Sequence, residues 1–219
     1  MIEVRRYQRL NSEVPVTDWL AGMRDARARA KLEIRFRRVS LGIFGDIKPV
    51  GEGVLELRED IGPGYRVSGA AWRNARHPAL RRRQAHAGCG HQTGEGILVG
   101  LETEKHMSHR KHTASVPHTE ATIAELRADR AFAVEYLKSA LEELDNPEHR
   151  AVGLLALRDV AEAYGGLATV AQEAGVTREA LYRALSPSGN PTLKTLLAVL
   201  HAVGMRLSVV PAEPTPVHG

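Results

Sequence analysis

Hydrophobic and polar positions in the first 67 residues alternate and recur in the way expected of a small α+β fold. Ile2–Leu10 mixes β-branched and aromatic residues with arginines, as an edge strand does, and two helical stretches follow, the second over Ala26–Leu41. Val54–Arg58 has the period of a strand over its last four residues, and Gly62-Pro63-Gly64 is a turn sequence. The pattern predicts a strand, two helices and an antiparallel hairpin whose second strand has just begun at residue 67.

Residues 107–219 have helical periodicity instead. Arg130–Leu144 places apolar side chains at intervals of three and four, and Pro147 stands where a helix over Val152–Tyr164 would start. A further long helix is predicted over Leu193–Val203. We therefore predict an all-α C-terminal part and, for the chain as a whole, an α+β fold.

Leu167–Leu185, LATVAQEAGVTREALYRAL, has the spacing of a helix-turn-helix. Gly175 falls where the chain must turn with a positive φ, Val176 is predicted to fill the angle between the helices, and Leu181 packs inward. Thr177 can cap the second helix, whose polar side chains would enter the major groove of DNA, although an ordinary helical hairpin with a glycine turn is the alternative. The candidate DNA-binding residues are Thr177, Arg178, Glu179, Tyr182, Arg183, Thr192 and Lys194.

The stretch that contains this motif, ALYRALSPSGNPTLKTLLAVLHAVGMRL, resembles the addiction-module antidote proteins, which are HigA-like antitoxins with a lambda-repressor-like helix-turn-helix. The resemblance runs from about Ala121 to Val210. It implies a homodimer that binds its own operator DNA as a transcriptional autorepressor and neutralises a cognate RelE/HigB-like toxin. We predict no cofactor and no membrane association.

The N-terminal sequence resembles the toxins of such modules. Trp19-Leu20, LGIFGDIKPVGEGVLELRED and GPGYRV are similar to the HigB-like branch of the RelE/ParE superfamily, which implies a small RelE-like sheet packed on two helices. The resemblance stops at Val67, where family members continue with further strands and a helix, so we expect an incomplete remnant without enzymatic activity. A ribosome-dependent mRNA endoribonuclease is the alternative function. Its candidate catalytic residues are Lys48, Glu56, Arg58 and Arg66, for which solvated charge on a strand face is the competing interpretation.

Residues 68–106 show neither the helical nor the strand period. Ser68–Gly96 contains no Val, Ile, Phe or Tyr, so we predict a disordered linker between a toxin remnant (1–67) and an antitoxin (107–219). Read one base out of frame, its codons permit an apolar strand, a Gly-Gly turn and an amphipathic helix similar to the missing part of the toxin. A stop codon in that frame can overlap the codons of Met107-Ser108. We interpret the segment as toxin sequence displaced by a frameshift.

Charge and cysteine content narrow the class of protein only slightly. Thirty Lys and Arg residues against 26 Asp and Glu give a net charge of +4, which suits nucleic-acid binding but is too small to argue for it alone. Arg81–Arg83 would bind nucleic acid without sequence preference. A single cysteine excludes an intramolecular disulfide, and no apolar run has the length of a membrane span, so a cytoplasmic protein is expected.

A metal site is the remaining possibility in the atypical segment. A structural zinc site needs four ligands at defined spacing, and Cys89-x-His91 is the only close pair there. No metal site is therefore predicted. The potential ligands considered are His77, His86, Cys89, His91 and His106.

Overall fold

The computed structural model describes residues 2–9, 11–51, 54–62, 64–71, 99–103 and 115–208. The strands within these residues are β1 (Ile2–Tyr7), β2 (Ile47–Gly51), β3 (Val54–Glu59), β4 (Tyr65–Ala71), β5 (Val99–Thr103) and β6 (Ser115–Pro117). The helices are α1 (Pro15–Ala21), α2 (Ala26–Ser40), α3 (His118–Ala128), α4 (Arg130–Asp145), α5 (Arg150–Ala163), α6 (Gly166–Ala174), α7 (Arg178–Ala184) and α8 (Leu193–Ala202). We call residues 2–71 the N-terminal part and residues 118–208 the helical part.

The strands form one mixed sheet in the order β2-β3-β4-β5-β1-β6. β4 and β5 run parallel, with Gly69 opposite Val99, and the other neighbouring strands are antiparallel. β1 lies between β5 and β6, so the first strand of the chain pairs with strands that come about a hundred residues later. The sheet therefore joins the N-terminal part to the segment that leads into the helical part.

The predicted linker differs from the structure at two places, and the part predicted to be all-α differs at one. Residues 68–71 continue β4 and pair with β3, and residues 99–103 form β5, although both stretches were expected to be disordered. β6 likewise adds a short strand to the part predicted to be all-α. Strand pairing is made by backbone groups, so the small residues of β4 can take part in it without an apolar pattern. Residues 72–98 and 104–106, with most of the proposed frameshift, lie outside the described residues.

Helix α2 lies between the sheet and the helical part and is buried on both sides. Leu32, Phe36 and Val39 belong to a core with the sheet and α1, whereas Ala30 and Ile34 belong to the core of the helical part. The Asp25 carboxylate caps the helix by accepting a hydrogen bond from the N–H of Ala28 at 3.0 Å. The result is a layered α+β arrangement in which one helix completes two cores.

In the helical part, α4 and α5 approach closely because a glycine faces the contact. A Cβ at Gly153 would lie 2.6 Å from the carbonyl oxygen of Ala140, nearer than van der Waals contact allows. The Asp129 side chain caps α4 through the N–H of Phe132 at 3.0 Å. Among the described residues, none of the helices combines the length and the hydropathy that a membrane span requires.

Candidate nucleic-acid interface and buried ion-pair layer

Helices α6 and α7 meet at a tight turn whose geometry follows from three residues. Gly175 ends α6 with φ +66°, a conformation that a Cβ would make unfavourable. The N–H groups of Gly175 and Val176 then bond back to carbonyl oxygens of the last turn of α6, each at 3.0 Å. Thr177 is extended and caps α7, accepting from the N–H of Ala180 at 3.1 Å. The predicted positive φ and threonine cap are both present.

Helix α7 is anchored by its apolar side and presents polar residues on the other. Leu181 and, just after the helix, Leu185 are fully buried in the core of the helical part. Val176 does not fill the angle between the helices as predicted, because 37% of its surface is exposed. Leu181 occupies the buried position instead, since it reaches inward from the first turns of α7 while the turn itself lies at the surface. The four predicted residues on α7, namely Arg178, Glu179, Tyr182 and Arg183, are all exposed.

Two further predicted residues, Thr192 and Lys194, come from the beginning of α8. The Thr192 hydroxyl caps α8 by accepting from the N–H of Thr195 at 3.2 Å, so it is first of all a structural cap. The ammonium of Lys194 lies 2.9 Å from the position that a Cβ at Gly175 would take. A cation there faces the carboxyl end of α6, where the helix dipole favours positive charge. Lys194 thus joins the α6–α7 turn, and all seven candidate DNA-binding residues are exposed.

An arginine that the sequence motif did not indicate also lies at this surface. The Arg158 guanidinium, on α5, stacks over the ring of Tyr182 with its carbon 4.9 Å from the ring centroid. The stack orients Tyr182 and brings another positive charge beside α7. Sequence reasoning missed Arg158 because it belongs to a different helix, and no local spacing relates it to the motif.

The structure brings the four candidate toxin residues onto one face of the sheet. Lys48 is paired with Glu56 across β2 and β3, and Arg58 is paired with Arg66 across β3 and β4. Since Leu55 and Leu57 point into the core, these side chains occupy the opposite face. The Glu56 carboxylate accepts from Nε of Arg58 at 2.9 Å and lies 3.7 Å from Nε of Arg66.

A layer of ion pairs is buried between the N-terminal part and the helical part. Arg6 on β1 is fully buried and donates to Glu33 on α2 at 2.7 Å, to Glu125 on α3, and through Nε to Nδ1 of His118 at 3.1 Å. Nε2 of His118 lies 3.1 Å from Glu33. Because Nδ1 accepts from Arg6, the ring proton belongs on Nε2, where it is donated to Glu33.

This geometry determines the charge states in the layer. Burial alone would raise the pKa of the Glu33 carboxyl, but Arg6 and the hydrogen bonds from His118 and Thr122 hold it at about 2. Burial lowers the pKa of His118 to about 4, and Arg6 adds to the effect, although Glu33 opposes it. His118 is therefore neutral and Glu33 charged near neutral pH.

Helix α2 adds three more arginines to the layer. Arg37 pairs with the buried Asp159, which also accepts from the hydroxyl of Tyr136 at 3.0 Å. Arg38 makes a two-pronged contact with Glu143. Arg29 donates to Glu125 and Asp129 at 3.0 Å each and stacks over the ring of Phe132 at 4.0 Å.

Within the described ranges, no group of three or more His, Cys, Asp and Glu side chains is placed to hold a metal ion. The potential ligands considered from the sequence all lie outside those ranges: His77, His86, Cys89, His91 and His106.

Comparison with known proteins assigns a family to the helical part. Residues 119–211 match the model of a family described as "probable addiction module antidote protein". A curated protein of Haemophilus influenzae is 42% identical over 74 residues, which make up 34% of this chain and 71% of that protein. The chain belongs to this antidote family.

A second curated relative is more similar over a shorter stretch. It is 51% identical over 49 residues, which make up 22% of this chain and half the length of the relative. Both relatives come from Haemophilus influenzae and are described as uncharacterized proteins. No solved structure matches the chain. The family match begins at residue 119, so the family assignment rests on the helical part and does not extend to the N-terminal part.

Proposed function

We propose that this antidote protein is the antitoxin of a toxin–antitoxin module, that it binds its own operator DNA through α6 and α7, and that it represses its own transcription. The operator-bound form is a homodimer, because a helix-turn-helix reads two half-sites about one turn of DNA apart. Its protein partner is a cognate toxin of the RelE/HigB-like class. It acts without a cofactor and catalyses no reaction.

The observation that carries this proposal is the surface of α7 in a chain of the antidote family. Leu181 and Leu185 hold α7 in the core, so Arg178, Glu179, Tyr182 and Arg183 face outward from a helix whose entry is set by Gly175 and the Thr177 cap. Lys194 adds positive charge at the turn before α7, and Arg158 adds it beside Tyr182. Long polar side chains on a rigid, positively charged helix are suited to base edges and phosphates.

A mobility-shift titration with the DNA upstream of the gene tests the interface. Arg178→Ala and Arg183→Ala are each expected to weaken binding about 5- to 150-fold, the loss of one base or phosphate contact. Lys138→Ala is the matched control, since Lys138 is also an exposed cation, and its ion pair, with Glu135, stays on its own helix, α4. Unchanged binding by both arginine variants would refute the assignment of α7 as the recognition helix.

The salt dependence of the same titration separates phosphate from base contacts. Each phosphate contact contributes about 0.9 to the slope of log K against log salt, so a lysine that contacts phosphate lowers the slope by about one when it is removed. We expect that change for Lys194→Ala and a smaller one for Tyr182→Phe. Sedimentation of the protein with a duplex that carries both half-sites, compared with a duplex that carries one, measures whether the operator-bound form contains two chains.

The alternative function, an mRNA endoribonuclease, has one observation in its favour, which is the assembly of Lys48, Glu56, Arg58 and Arg66 on one sheet face. We propose that it is not the activity of this chain, because the family match covers residues 119–211 of the helical part and the contacts of Glu56 with Arg58 and Arg66 are also those of charged side chains on a strand face. Ribosome-dependent cleavage of a reporter mRNA by the purified chain, abolished in Glu56→Gln, would reverse that conclusion.

A further inference from the structure

The ion pairs between the N-terminal part and the helical part have a consistent polarity. Arg6, Arg29, Arg37 and Arg38 come from the N-terminal part, and the carboxylates that they meet across the contact belong to α3, α4 and α5 or, for Asp129, to the residue that caps α4, while Arg6 also pairs with Glu33 of its own part. The pair between His118 and Glu33 is the exception in the described residues. The helical part therefore presents an acidic face, which we define as Glu125, Asp129, Glu143 and Asp159.

The occupant of this face is a basic amphipathic helix. Ala26–Ser40 contains six basic residues and one acidic residue. Residues 29, 33 and 37 are spaced by four and lie along one side, where Ala30 and Ile34 add the apolar contact with the core of the helical part. Charge complementarity, two apolar anchors and the stack of Arg29 on Phe132 all act across the same contact.

Burial makes this contact specific for a basic helix. Glu125, Glu143 and Asp159 are each less than a tenth exposed once α2 is in place, and a carboxylate removed from water needs a charged, hydrogen-bonded partner. Arg37 and Arg38 supply that partner at adjacent positions, for Asp159 and Glu143 respectively. An uncharged helix would leave these carboxylates desolvated and unpaired.

We propose that the acidic face is the surface by which the antidote receives a basic helix of a protein partner, and that α2 of the same chain occupies it in cis. The inference rests on the proposed function for the existence of a partner, but its geometry does not involve α7. The intact chain then offers no vacant acidic face, and a separate protein with an arginine-bearing helix must displace α2 before it binds.

To test whether the acidic face holds α2, the full chain is cleaved between its N-terminal part and its helical part. A protease recognition sequence is inserted within residues 104–114, which connect β5 to β6, and the purified chain is cleaved and passed through a sizing column. The two pieces are expected to elute together at the mass of the uncut chain. Pieces that separate while each keeps its circular dichroism would overturn the proposal.

A charge reversal identifies the contact that holds the pieces. In Glu143→Arg, two like charges meet in a desolvated site, so the association of the cleaved pieces is expected to weaken about 30-fold or more. Arg38→Glu combined with Glu143→Arg restores opposite charges and should recover co-elution. Lys138→Glu, on the same helix but in a pair that does not cross the contact, is the matched control. Equal elution of all four cleaved proteins would overturn the role of the acidic face.

A binding measurement on the uncut chain keeps the proposal testable if a reversed variant does not fold. The probe is a fluorescently labelled synthetic peptide of residues 26–40. The intact chain is expected not to bind it at micromolar concentration, because α2 fills the face, and micromolar binding would contradict occupancy in cis. The mobility-shift titration with operator DNA tests Arg178 and Arg183 on α7 and not the acidic face. If the DNA-binding proposal fails, the results of the cleavage and peptide experiments are therefore unaffected.

Discussion

Removal of Arg37 should reveal how strongly the two parts of the chain depend on each other. Its guanidinium is paired with Asp159, and the two side chains are 6% and 2% exposed. Arg37→Met leaves a charged carboxylate in the core with only the Tyr136 hydroxyl as donor, at 3.0 Å. A buried charge that loses its partner costs about 3–5 kcal/mol, so the free energy of unfolding should fall by that amount.

The double variant Arg37→Met with Asp159→Leu distinguishes a charge effect from lost packing. It removes both charges, leaving the Tyr136 hydroxyl without its acceptor at a cost of about 1–3 kcal/mol. The double variant should therefore be more stable than Arg37→Met alone. The measurement is the free energy of unfolding from urea denaturation, with the same m-value used for all variants. Arg9→Met is the control, because Arg9 and Glu13 form an exposed pair worth less than about 1 kcal/mol. Additive losses in the double variant would refute the reasoning.

Three further changes test local features of the fold. The pKa of His118 is lowered from 6.5 to about 4 in the folded protein. As the pH falls, this histidine is therefore protonated in the unfolded chain before it is protonated in the folded one. The free energy of unfolding should fall by about 3 kcal/mol as the pH drops from 6.5 to 4. In His118→Gln, the free energy of unfolding measured by denaturation should not show this part of the pH dependence. Gly153→Ala places a Cβ 2.6 Å from the Ala140 carbonyl oxygen and should lower the free energy of unfolding by about 1–3 kcal/mol, measured by thermal or urea denaturation. Gly22→Ala is the control, because the nearest atom to its Cβ would be 3.4 Å away, and its stability should stay close to that of the wild type. Equal losses in the two variants would contradict the close helix contact. Thr177→Ala should lower stability by about 1 kcal/mol through the lost cap of α7, and the serine variant should retain it, so an equally destabilised serine variant would exclude capping as the cause.

The local features of the helix-turn-helix could be read from the sequence because they are short-range. A positive φ at Gly175 and a cap at Thr177 depend on the residues themselves and on backbone groups within four positions. The exposure of Arg178 and Arg183 follows from helical spacing relative to Leu181. Val176 was misplaced, since which apolar residue reaches the core depends on the angle at which α6 and α7 meet.

The strands at the edge of the atypical segment were missed for a related reason. β4 beyond Val67 is held by backbone pairing with β3 and β5, and β5 is held by pairing with β4 and β1, and such pairing needs no apolar pattern in the strand itself. The sequence placed Glu56 and Arg58 on one strand and Arg66 at the start of the next, but only the sheet register brings them to one face with Lys48.

By itself, the sequence determined the helical periodicity of the C-terminal part, the turn at Gly175 and the basic character of α2. Only the tertiary structure decided that α2 is buried on two sides and that its arginines are paired. Arg37 and Asp159 are 122 positions apart, and no periodicity relates them. A run of six cations in fifteen residues suggests a solvated surface, because a buried charge is unfavourable until a partner is known. The acidic face supplies that partner, and its existence depends on the packing of α3, α4 and α5.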